Sequence, residues 1–442
     1  MPTPRFDLTR LFPDKPPPGP TRREFWRSPL RGPWLTAALG RFLLIAVPVI
    51  FVTGLLSHAA YSPQLGDNGH GRGGGPLDFY VFAWPSGPAW LYAVTQGLHV
   101  TVGIVTVPLL LVKLWSVIPK LFEWPPVRSV AHGLERVSIA LLVGSALFQF
   151  TTGIFNVQLY YPWRFSFLSA HYYGAWVFIG AFAVHVALKL PLVIHQLRAR
   201  PLLAELRVDL AGTQPERAPT GAAAAGTAEP SILIPVAPSE PTLSRRGLFG
   251  IVGASSLSLL ILTVGQSIGG PLRQLALLAP HGRDLGDGPN DFQVNKTARS
   301  VGIDSAATGA GWRLRVKGAE QLTFSRAELL ALPQHSYDLP IACVEGWSTT
   351  QRWTGVRLRD LADMAGGSES DALKVESLQR TGSFRRATLE PNQVQDDRSL
   401  LALKVNGADL SLDHGFPARV IVPALPGVHC TKWVSKLEFT RA

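Results

Sequence analysis

Four histidines lie inside long apolar stretches of the first half of the chain: His58, His99, His171 and His185. Ionisable residues are costly in a membrane and usually mark function there. A helix turns about 100° and rises about 1.5 Å per residue, so the 14 residues from His171 to His185 place both on nearly one helix face, roughly 21 Å apart. Since neutral imidazole is a good axial ligand for iron, the pattern predicts two haem b groups, one near each membrane surface.

Each haem then needs a second imidazole from a facing helix. By depth, we expect His58 to pair with His171 on the outer side and His99 with His185 on the inner side. His132, at the inner start of the third apolar stretch, competes for the inner position. The alternative is that these histidines form hydrogen bonds between helices or anchor the interface.

The second half of the chain offers a different metal ligand. Only two cysteines are present, Cys343 and Cys430, so neither a disulfide framework nor a four-cysteine metal site is available. Cys343 lies in the run Leu339-Pro-Ile-Ala-Cys-Val-Glu-Gly-Trp-Ser348 of a soluble-looking tail. A buried thiolate outside the membrane and histidines inside it together suggest an electron-transfer protein.

The composition indicates which elements position these residues. With 442 residues, 46% hydrophobic and 17% charged, the chain is too apolar for one water-soluble domain and too long for one core. The net charge of +11 could indicate nucleic acid, but the basic residues cluster at the ends of apolar stretches, as membrane topology requires. We therefore predict a lipid bilayer as partner and no nucleic acid.

Five uncharged stretches are long enough to cross a bilayer: residues 42–61, 91–112, 137–158, 168–188 and 248–268. The basic flanks place the N-terminus in the cytoplasm of a bacterial cell and the chain beyond about Gly270 outside the cytoplasmic membrane. The predicted domains are a cytoplasmic tail (1–33), a four-helix membrane domain (34–198), a disordered linker (199–243), a fifth membrane helix (244–270) and an extracytoplasmic domain (271–442).

Two local patterns refine this organisation. The run Ser244-Arg-Arg-Gly-Leu-Phe249 looks like an internal twin-arginine export signal, with an ordinary positive flank as the alternative. The tail mixes β-branched runs at 312–317, 373–377 and 418–423 with short helices at 325–331 and 358–365, the first with Ser325 and Glu328 at the capping-box offset. An α+β domain of this size has room for one large cofactor.

Both halves resemble known families. Residues 34–198 resemble the four-helix di-haem cytochrome b subunits that exchange electrons with membrane quinone. The tail resembles the molybdopterin-binding domain of the sulfite oxidase family, through these runs in family order: Asn290-Asp-Phe-Gln-Val-Asn-Lys296, Cys343-Val-Glu-Gly-Trp-Ser348, Trp353-Thr-Gly-Val356, Leu400-Leu-Ala402, Val405-Asn-Gly407, His414-Gly-Phe-Pro-Ala-Arg419 and Cys430-Thr-Lys-Trp433. The expected fold is thus an α-helical membrane bundle, four helices plus a fifth anchor, followed by an α+β molybdopterin-binding domain.

The resemblance implies roles for individual residues. Cys343 gives its thiolate to molybdenum, the pterin supplying the other sulfurs. His414, Arg419 and Lys432 hold the pterin and its phosphate, where arginine is a permanently charged donor. The other residues implied to contact the cofactor are Asn290, Phe292 and Gln293 along the pterin, Ser377 through its hydroxyl, and Cys430 and Thr431 through backbone groups. Glu345 is either a satisfied core carboxylate or a proton carrier at the metal, and Cys430 otherwise simply packs.

One departure from the family pattern bears on the substrate. In sulfite oxidases an arginine follows the ligand cysteine closely, whereas residues 344–351 contain no basic residue before Arg352. We therefore expect quinol-driven reduction of an S-oxide or N-oxide, with oxidation of a small substrate feeding quinone as the alternative. Two further alternatives remain: a plain four-helix anchor with an external electron donor, and a haem-free anchored receptor or binding module.

Overall fold

The computed structural model describes residues 12–61, 84–216, 232–282 and 285–441. Five helices in these ranges are long and apolar enough to span a bilayer. They are α1 (Pro33–Tyr61), α2 (Leu91–Val117), α3 (Val130–Val157), α4 (Phe167–Ala199) and α6 (Arg245–Ile268), with the short α5 (Leu202–Glu205) before the last. The five apolar stretches are confirmed as helices, but α1 begins earlier and α4 ends later than predicted, because backbone hydrogen bonding continues past the apolar residues.

A carboxylate distant in sequence caps the start of α1. Pro33, the first helical residue, has no N–H to satisfy. The carboxylate of Glu216 accepts hydrogen bonds from the backbone N–H groups of Trp34 at 3.0 Å and Leu35 at 3.4 Å. The first part of the predicted linker is described and contains α5 and Glu216, and the disorder of the linker stays a prediction. Residues 217–231 lie outside the described residues.

The first arginine of the twin-arginine-like run has a structural role. Arg245 is buried, and its Nη2 donates to the carbonyl oxygen of Gln214 at 2.9 Å. Its guanidinium also lies 3.5 Å from the Glu205 carboxylate and 5.9 Å from the centre of the Trp34 ring. Arg245 thus holds the linker against the helices, and its use as an export signal stays a prediction.

The C-terminal part forms two five-stranded β-sheets with short helices. The first has the order β2 (Gln321–Phe324), β1 (Leu314–Lys317), β10 (Val434–Arg441), β5 (Asp371–Ser377) and β6 (Arg386–Leu389), with β1 and β10 parallel and the other pairs antiparallel. The second is antiparallel and consists of β3 (His335–Ala342), β4 (Ser348–Arg357), β7 (Leu400–Val405) and β8 (Ala408–Asp409), with β9 (Arg419–Ile421) also on β7. The helices are α7 (Ser305–Thr308), α8 (Arg326–Ala331), α9 (Leu358–Met364) and α10 (Pro391–Val394). The mixed architecture of the tail is confirmed.

Local signals explain several of these elements. The Ser325 hydroxyl accepts from the backbone N–H of Glu328, and the Glu328 carboxylate accepts from that of Ser325, so the predicted capping box starts α8. Along β1, buried and exposed residues alternate, which turns one face of the strand to the core. That core contains Leu314 and Leu373 of the first sheet and Leu401 of the second.

The chain divides into two compact units. The first consists of Met1–Val49, Val102–Gly153 and Tyr173–Leu260, and the second of Ile50–Thr101, Ile154–Tyr172 and Ile261–Ala442. The second unit contains parts of several long helices together with both sheets. The candidate site lies entirely in this second unit.

Candidate active site

Cys343 lies at the tip of the hairpin that joins β3 to β4. Its backbone N–H donates to the carbonyl of Trp347 at 3.0 Å, and the N–H of Gly346 donates back to the carbonyl of Cys343 at 3.0 Å. Gly346 has φ +88°, a conformation that glycine adopts without a Cβ penalty. The five-residue turn from Cys343 to Trp347, called the cysteine turn below, therefore fixes the position of the thiol.

The thiol of Cys343 is enclosed by protein. Only 3% of the residue is exposed, and burial, followed by the nearby Glu345 carboxyl, raises the pKa of the thiol well above its usual value. Nδ2 of Asn295 lies 3.9 Å from Sγ. Glu345 is buried as well, and burial raises the pKa of its carboxyl. A bound metal cation would favour the thiolate.

No group of three His, Cys, Asp or Glu side chains converges anywhere among the described residues. Ligation of molybdenum by Cys343 stays a prediction of the resemblance.

Two buried cations, Arg419 and Lys432, lie near enough to Cys343 for a thiolate there to raise the pKa of both. Arg419, 4% exposed, donates from Nε to the carbonyl of Cys430 at 3.1 Å and from Nη1 to that of His414 at 3.3 Å. Lys432 donates from Nζ to the carbonyls of Lys296 at 2.9 Å and Asp413 at 2.8 Å. Neither forms an ion pair within the described part of the chain. Burial lowers the pKa of Arg419 to about 10 and that of Lys432 well below its usual value.

His414 and Phe292 stack beside these cations. Their ring centres are 3.6 Å apart, and Nε2 of His414 hydrogen-bonds to the carbonyl of Asn290 at 2.8 Å. Burial, then the charges of Arg419 and Lys432, lower the pKa of His414 to about 3, so the imidazole is neutral at pH 7.

The expected cofactor fits this donor set. Buried cations without carboxylate partners are costly, and an anionic phosphate would supply the missing charge. Nδ1 of His414 and Oγ1 of Thr431 are also buried and make no hydrogen bond with the described residues. These atoms are where a pterin phosphate or ring would find partners.

Other predicted contact residues have structural partners. The Asn290 carboxamide accepts from the Ser411 N–H at 2.7 Å and donates to the Asp409 carbonyl at 2.9 Å. The Ser377 hydroxyl donates to the carbonyl of Lys432 at 2.8 Å, which places it behind the cation. Cys430 is buried in the same apolar cluster as Cys343. Their contacts with a cofactor stay predictions.

Two helices hold the cysteine turn. Nε2 of Gln96 in α2 donates to the carbonyl of Val344 at 2.6 Å. The hydroxyl of Ser267 in α6 donates to the carbonyl of Gly346. The backbone carbonyl of Ser267 accepts from the Ser348 hydroxyl at 2.7 Å. A Cβ on Gly346 would lie 2.7 Å from Cβ of Val100, so only glycine allows this approach. Sequence reasoning missed these contacts, although polar Gln96 within an apolar stretch was a signal.

Three of the predicted haem ligands, His58, His99 and His171, lie in the second unit. The rings of His99 and His171 are 6.2 Å apart and nearly perpendicular, whereas His58 stacks on Tyr172 at 3.9 Å. Nδ1 of His99 lies 2.9 Å from the carbonyl of Ile50, which leaves Nε2 for another partner. Two imidazoles that ligate one iron from opposite sides, with metal–nitrogen bonds of about 2 Å, have ring centres roughly 6 Å apart, and the use of this pair as a haem site stays a prediction.

The inner histidines are less informative. His185 is partly exposed on α4, and its pairing stays a prediction. Nδ1 of His132 accepts from the backbone N–H of Arg128 at 3.2 Å, so that imidazole stabilises the start of α3. The predicted inner haem site therefore rests on the sequence spacing.

Comparison with known proteins agrees with the chemistry of the tail. Residues 301–442 match the family described as "Oxidoreductase molybdopterin binding domain". The chain is 31% identical to the uncharacterized oxidoreductase YuiH of Bacillus subtilis over 133 residues and 32% identical to mitochondrial sulfite oxidase of Mus musculus over 156 residues. It is 26% identical over 167 residues to MsrP of Campylobacter jejuni, a protein-methionine-sulfoxide reductase catalytic subunit.

These matches cover only parts of each protein. They span 29% of this chain and 66% of YuiH, 29% of this chain and 29% of the mouse protein, and 34% of this chain and 56% of MsrP. Among solved structures, the sulfane dehydrogenase SoxCD of Paracoccus pantotrophus matches at 25% identity and a TM-score of 0.28, over 30% of this chain and 39% of that one.

Proposed function

We propose that the whole chain is a membrane-bound molybdoenzyme, because residues 301–442 form a molybdopterin-binding oxidoreductase domain of the sulfite oxidase family. In this proposal, electrons pass between quinone and haem b in the membrane half, and this transfer is coupled to oxygen-atom transfer in the tail. The observation that carries this proposal is the contact between α2 and the cysteine turn. Gln96 holds the carbonyl next to Cys343, and it lies on the same helix as His99, a proposed haem ligand, one turn earlier. Electrons at His99 would need to travel only a short way to the metal.

The residues of the tail have separate tasks in this proposal. Cys343 ligates molybdenum, while Arg419, Lys432 and neutral His414 hold the pterin and its phosphate. When bound, the cofactor supplies a two-electron oxygen-atom transfer between the metal and the substrate. Buried Glu345 is placed two residues from the ligand and can hold or release a proton there.

Reduction of an S-oxide or N-oxide is the direction we propose first. The substrate gives up its oxygen, which leaves as water after two electrons and two protons are added. The similarity to MsrP, a sulfoxide reductase, supports this direction, and the similarity to sulfite oxidases supports the reverse, in which a small substrate is oxidised and quinone is reduced. Arg352, the first basic residue after the ligand, is 64% exposed and lies 3.9 Å from Asp338, so it does not face the thiol's enclosure.

The membrane half supplies the electrons in this proposal. Its support is the apolar length of α1, α2, α3, α4 and α6 together with the His99 and His171 rings. We place the N-terminus in the bacterial cytoplasm and residues 271–442 outside the cytoplasmic membrane. Quinol is the proposed donor and a small molecule the proposed substrate.

A single preparation tests these statements. The full chain, purified in detergent, is assayed for molybdenum, for pterin and for a reduced-minus-oxidised haem b spectrum. Dithionite-reduced haem is then mixed with sulfoxides, N-oxides and small oxyanions, and we expect one class to reoxidise it. Cys343→Ser should retain haem and lose both molybdenum and reoxidation. A wild-type preparation with neither metal would instead support an anchored binding module.

A further inference from the structure

The chain that leads into α2 is built into the structure of the tail. Residues 84–89, called the connecting segment below, belong to the same compact unit as both sheets. Trp84 is 3% exposed and lies in the core cluster to which both sheets contribute. Its carbonyl accepts from Nδ2 of Asn392 at 3.0 Å, and the carbonyl of Ser86 accepts from Nη2 of Arg398 at 3.1 Å. The tail therefore holds the connecting segment along its length.

The connecting segment in turn holds a buried loop of the tail, residues 424–430, between β9 and β10. Six of the seven loop residues are buried, so the backbone groups of the loop need partners inside the protein. The N–H of Ala424 donates to the carbonyl of Ala89 at 3.2 Å, and its carbonyl accepts from Nε1 of Trp84 at 2.6 Å. Ala424 has φ +60°, a conformation that alanine keeps only where its surroundings hold it. The connecting segment thus fixes the start of the loop.

The last residue of α1 holds the other end of the loop. Nε2 of His429 lies 2.9 Å from the carbonyl of Tyr61, and since a carbonyl can only accept, this nitrogen carries the hydrogen. His429 is 1% exposed, and its backbone N–H donates to the carbonyl of Pro426 at 2.9 Å. Side chain and backbone of His429 therefore tie the end of α1 to the loop.

The loop itself contacts residues that are predicted to bind the cofactor. The N–H of Gly427 donates at 2.7 Å to the carbonyl of Ala342, the residue before Cys343. The loop ends at Cys430, whose carbonyl accepts from Nε of Arg419 at 3.1 Å. A shift of the loop would therefore disturb both the neighbour of the predicted metal ligand and the partner of a predicted phosphate-binding cation.

We propose that the end of α1 and the connecting segment form a clamp on the 424–430 loop, and that this clamp retains molybdopterin in the tail. Trp84 and His429 are the positioning residues of the clamp. The inference rests on the proposed function of the tail as a molybdoenzyme. Tyr61 and Trp84 precede residue 301, so the matched family domain alone lacks this half of the clamp. The membrane half then serves cofactor retention as well as electron transfer.

The test measures how fast molybdenum and pterin leave the full chain in detergent. Trp84→Phe keeps the aromatic ring and loses the N–H donor, and His429→Leu loses the bond to α1. We expect both to release the cofactor about 10-fold faster than the wild type, because each leaves a buried carbonyl without its partner. His429→Gln, whose carboxamide can still donate to the Tyr61 carbonyl, should recover most of the retention.

Trp34→Phe is the matched control. The indole of Trp34 is also buried and donates to a backbone carbonyl, that of Arg200 at 2.7 Å, but both residues belong to the first unit. This variant should release the cofactor at the wild-type rate. Hydrogen exchange at residues 424–430, measured on the same preparations, should be faster in Trp84→Phe and His429→Leu and unchanged in Trp34→Phe.

Equal release rates in Trp84→Phe and Trp34→Phe would overturn the proposal, and this pair decides the question if His429→Leu does not fold. Faster hydrogen exchange of the loop with an unchanged release rate would also overturn it, because the contact would then be structural only. A wild type that holds neither molybdenum nor pterin would refute the proposed function. A wild type that holds both, and variants that release them no faster, would refute only this inference.

Discussion

Arg419 and Lys432 are buried cations whose hydrogen bonds go only to carbonyl oxygens in the described structure. In the protein without cofactor this arrangement opposes folding, because each charge has lost water without forming an ion pair among the described residues. In the protein with cofactor the same arrangement favours binding, because the phosphate arrives at a prepared site. Stability and cofactor affinity should therefore respond oppositely to removal of one charge.

Replacement of Arg419 by methionine tests this opposition. We expect the cofactor-free protein to be as stable as the wild type or more stable, since methionine has similar length and no charge to desolvate. We expect pterin affinity to fall by one to two orders of magnitude, because a charged hydrogen bond contributes about 1.5–3 kcal/mol. Thermal midpoints and pterin content check both statements. Arg352→Met is the matched control, and a cofactor-free Arg419→Met that melts far below the wild type would contradict the argument.

Two buried histidines predict the acid stability of the tail. Burial lowers the pKa of His414 to about 3 and that of His429 to about 4, against about 6.5 in the unfolded chain. Between these values the unfolded state binds more protons, so the free energy of unfolding falls as the pH falls below about 6.5. The expected slope approaches about 1.4 kcal/mol per pH unit for each histidine.

The measurement is the melting temperature of the cofactor-free protein between pH 7 and pH 4.5. Lys317 and Lys436 lower the pKa of Glu438 to about 2, against about 4.5 in the unfolded chain. Protonation of Glu438 therefore lowers the free energy of unfolding mainly below pH 4.5, which is outside the measured range. His414→Gln, which can still donate to the Asn290 carbonyl, should give a shallower slope. A melting temperature that is flat from pH 6.5 to pH 4.5 would show that these imidazoles are not buried as neutral groups.

At the scale of elements, the cysteine turn depends on α2. Gly346 and Gly407 both have a positive φ, +88° and +83°. A Cβ added to Gly346 would collide with Val100 of α2, whereas a Cβ added to Gly407 would meet no atom within 4 Å. Alanine at Gly407 should cost about 1 kcal/mol from backbone strain. Alanine at Gly346 should cost that amount plus the displacement of α2 from the turn.

The two alanine variants form a matched comparison. We expect Gly346→Ala to lower the thermal midpoint further than Gly407→Ala and to reduce molybdenum content, since the turn carries Cys343. Val100→Ala in the Gly346→Ala background should restore part of the loss by making room for the new methyl group. Equal midpoints and equal metal content in the two single variants would mean that α2 does not press against the turn.

The same contacts show what the sequence could and could not predict. The long helices and the Ser325 capping box depend on local pattern, and both were predicted. The hydrogen bond from Gln96 to Val344 joins residues 248 positions apart, and no local pattern marks that pairing. The depth argument did not predict that the rings of His99 and His171 are neighbours, because packing sets the rotation of a helix, and the pairing of haem ligands stays a prediction.

At the scale of the whole molecule, the second unit brings the cysteine turn and two histidines of apolar helices, His99 and His171, into one compact body. The rings of His99 and His171 are 6.2 Å apart in this unit, and Gln96, on the same helix as His99, contacts the cysteine turn. If haem lies between these two rings, electrons enter the second unit beside the turn that holds Cys343. The haem complement of histidine variants therefore decides whether the chain is an anchored oxidoreductase or an electron-transfer enzyme.

His171→Ala and His99→Ala should each remove one haem and halve the reduced-minus-oxidised haem b signal, because an iron left with one imidazole binds weakly. His195→Ala, in the same helix but outside the proposed ligand set, should retain the full signal. Molybdenum content should be unchanged in all three variants, which separates loss of haem from misfolding of the tail. Oxidation of quinol by the S-oxide or N-oxide that the enzyme accepts should then fail in the first two variants only, because the electrons would pass through the haem to molybdenum. Full haem content in both His99→Ala and His171→Ala would instead leave the helices as an anchor served by an external electron donor.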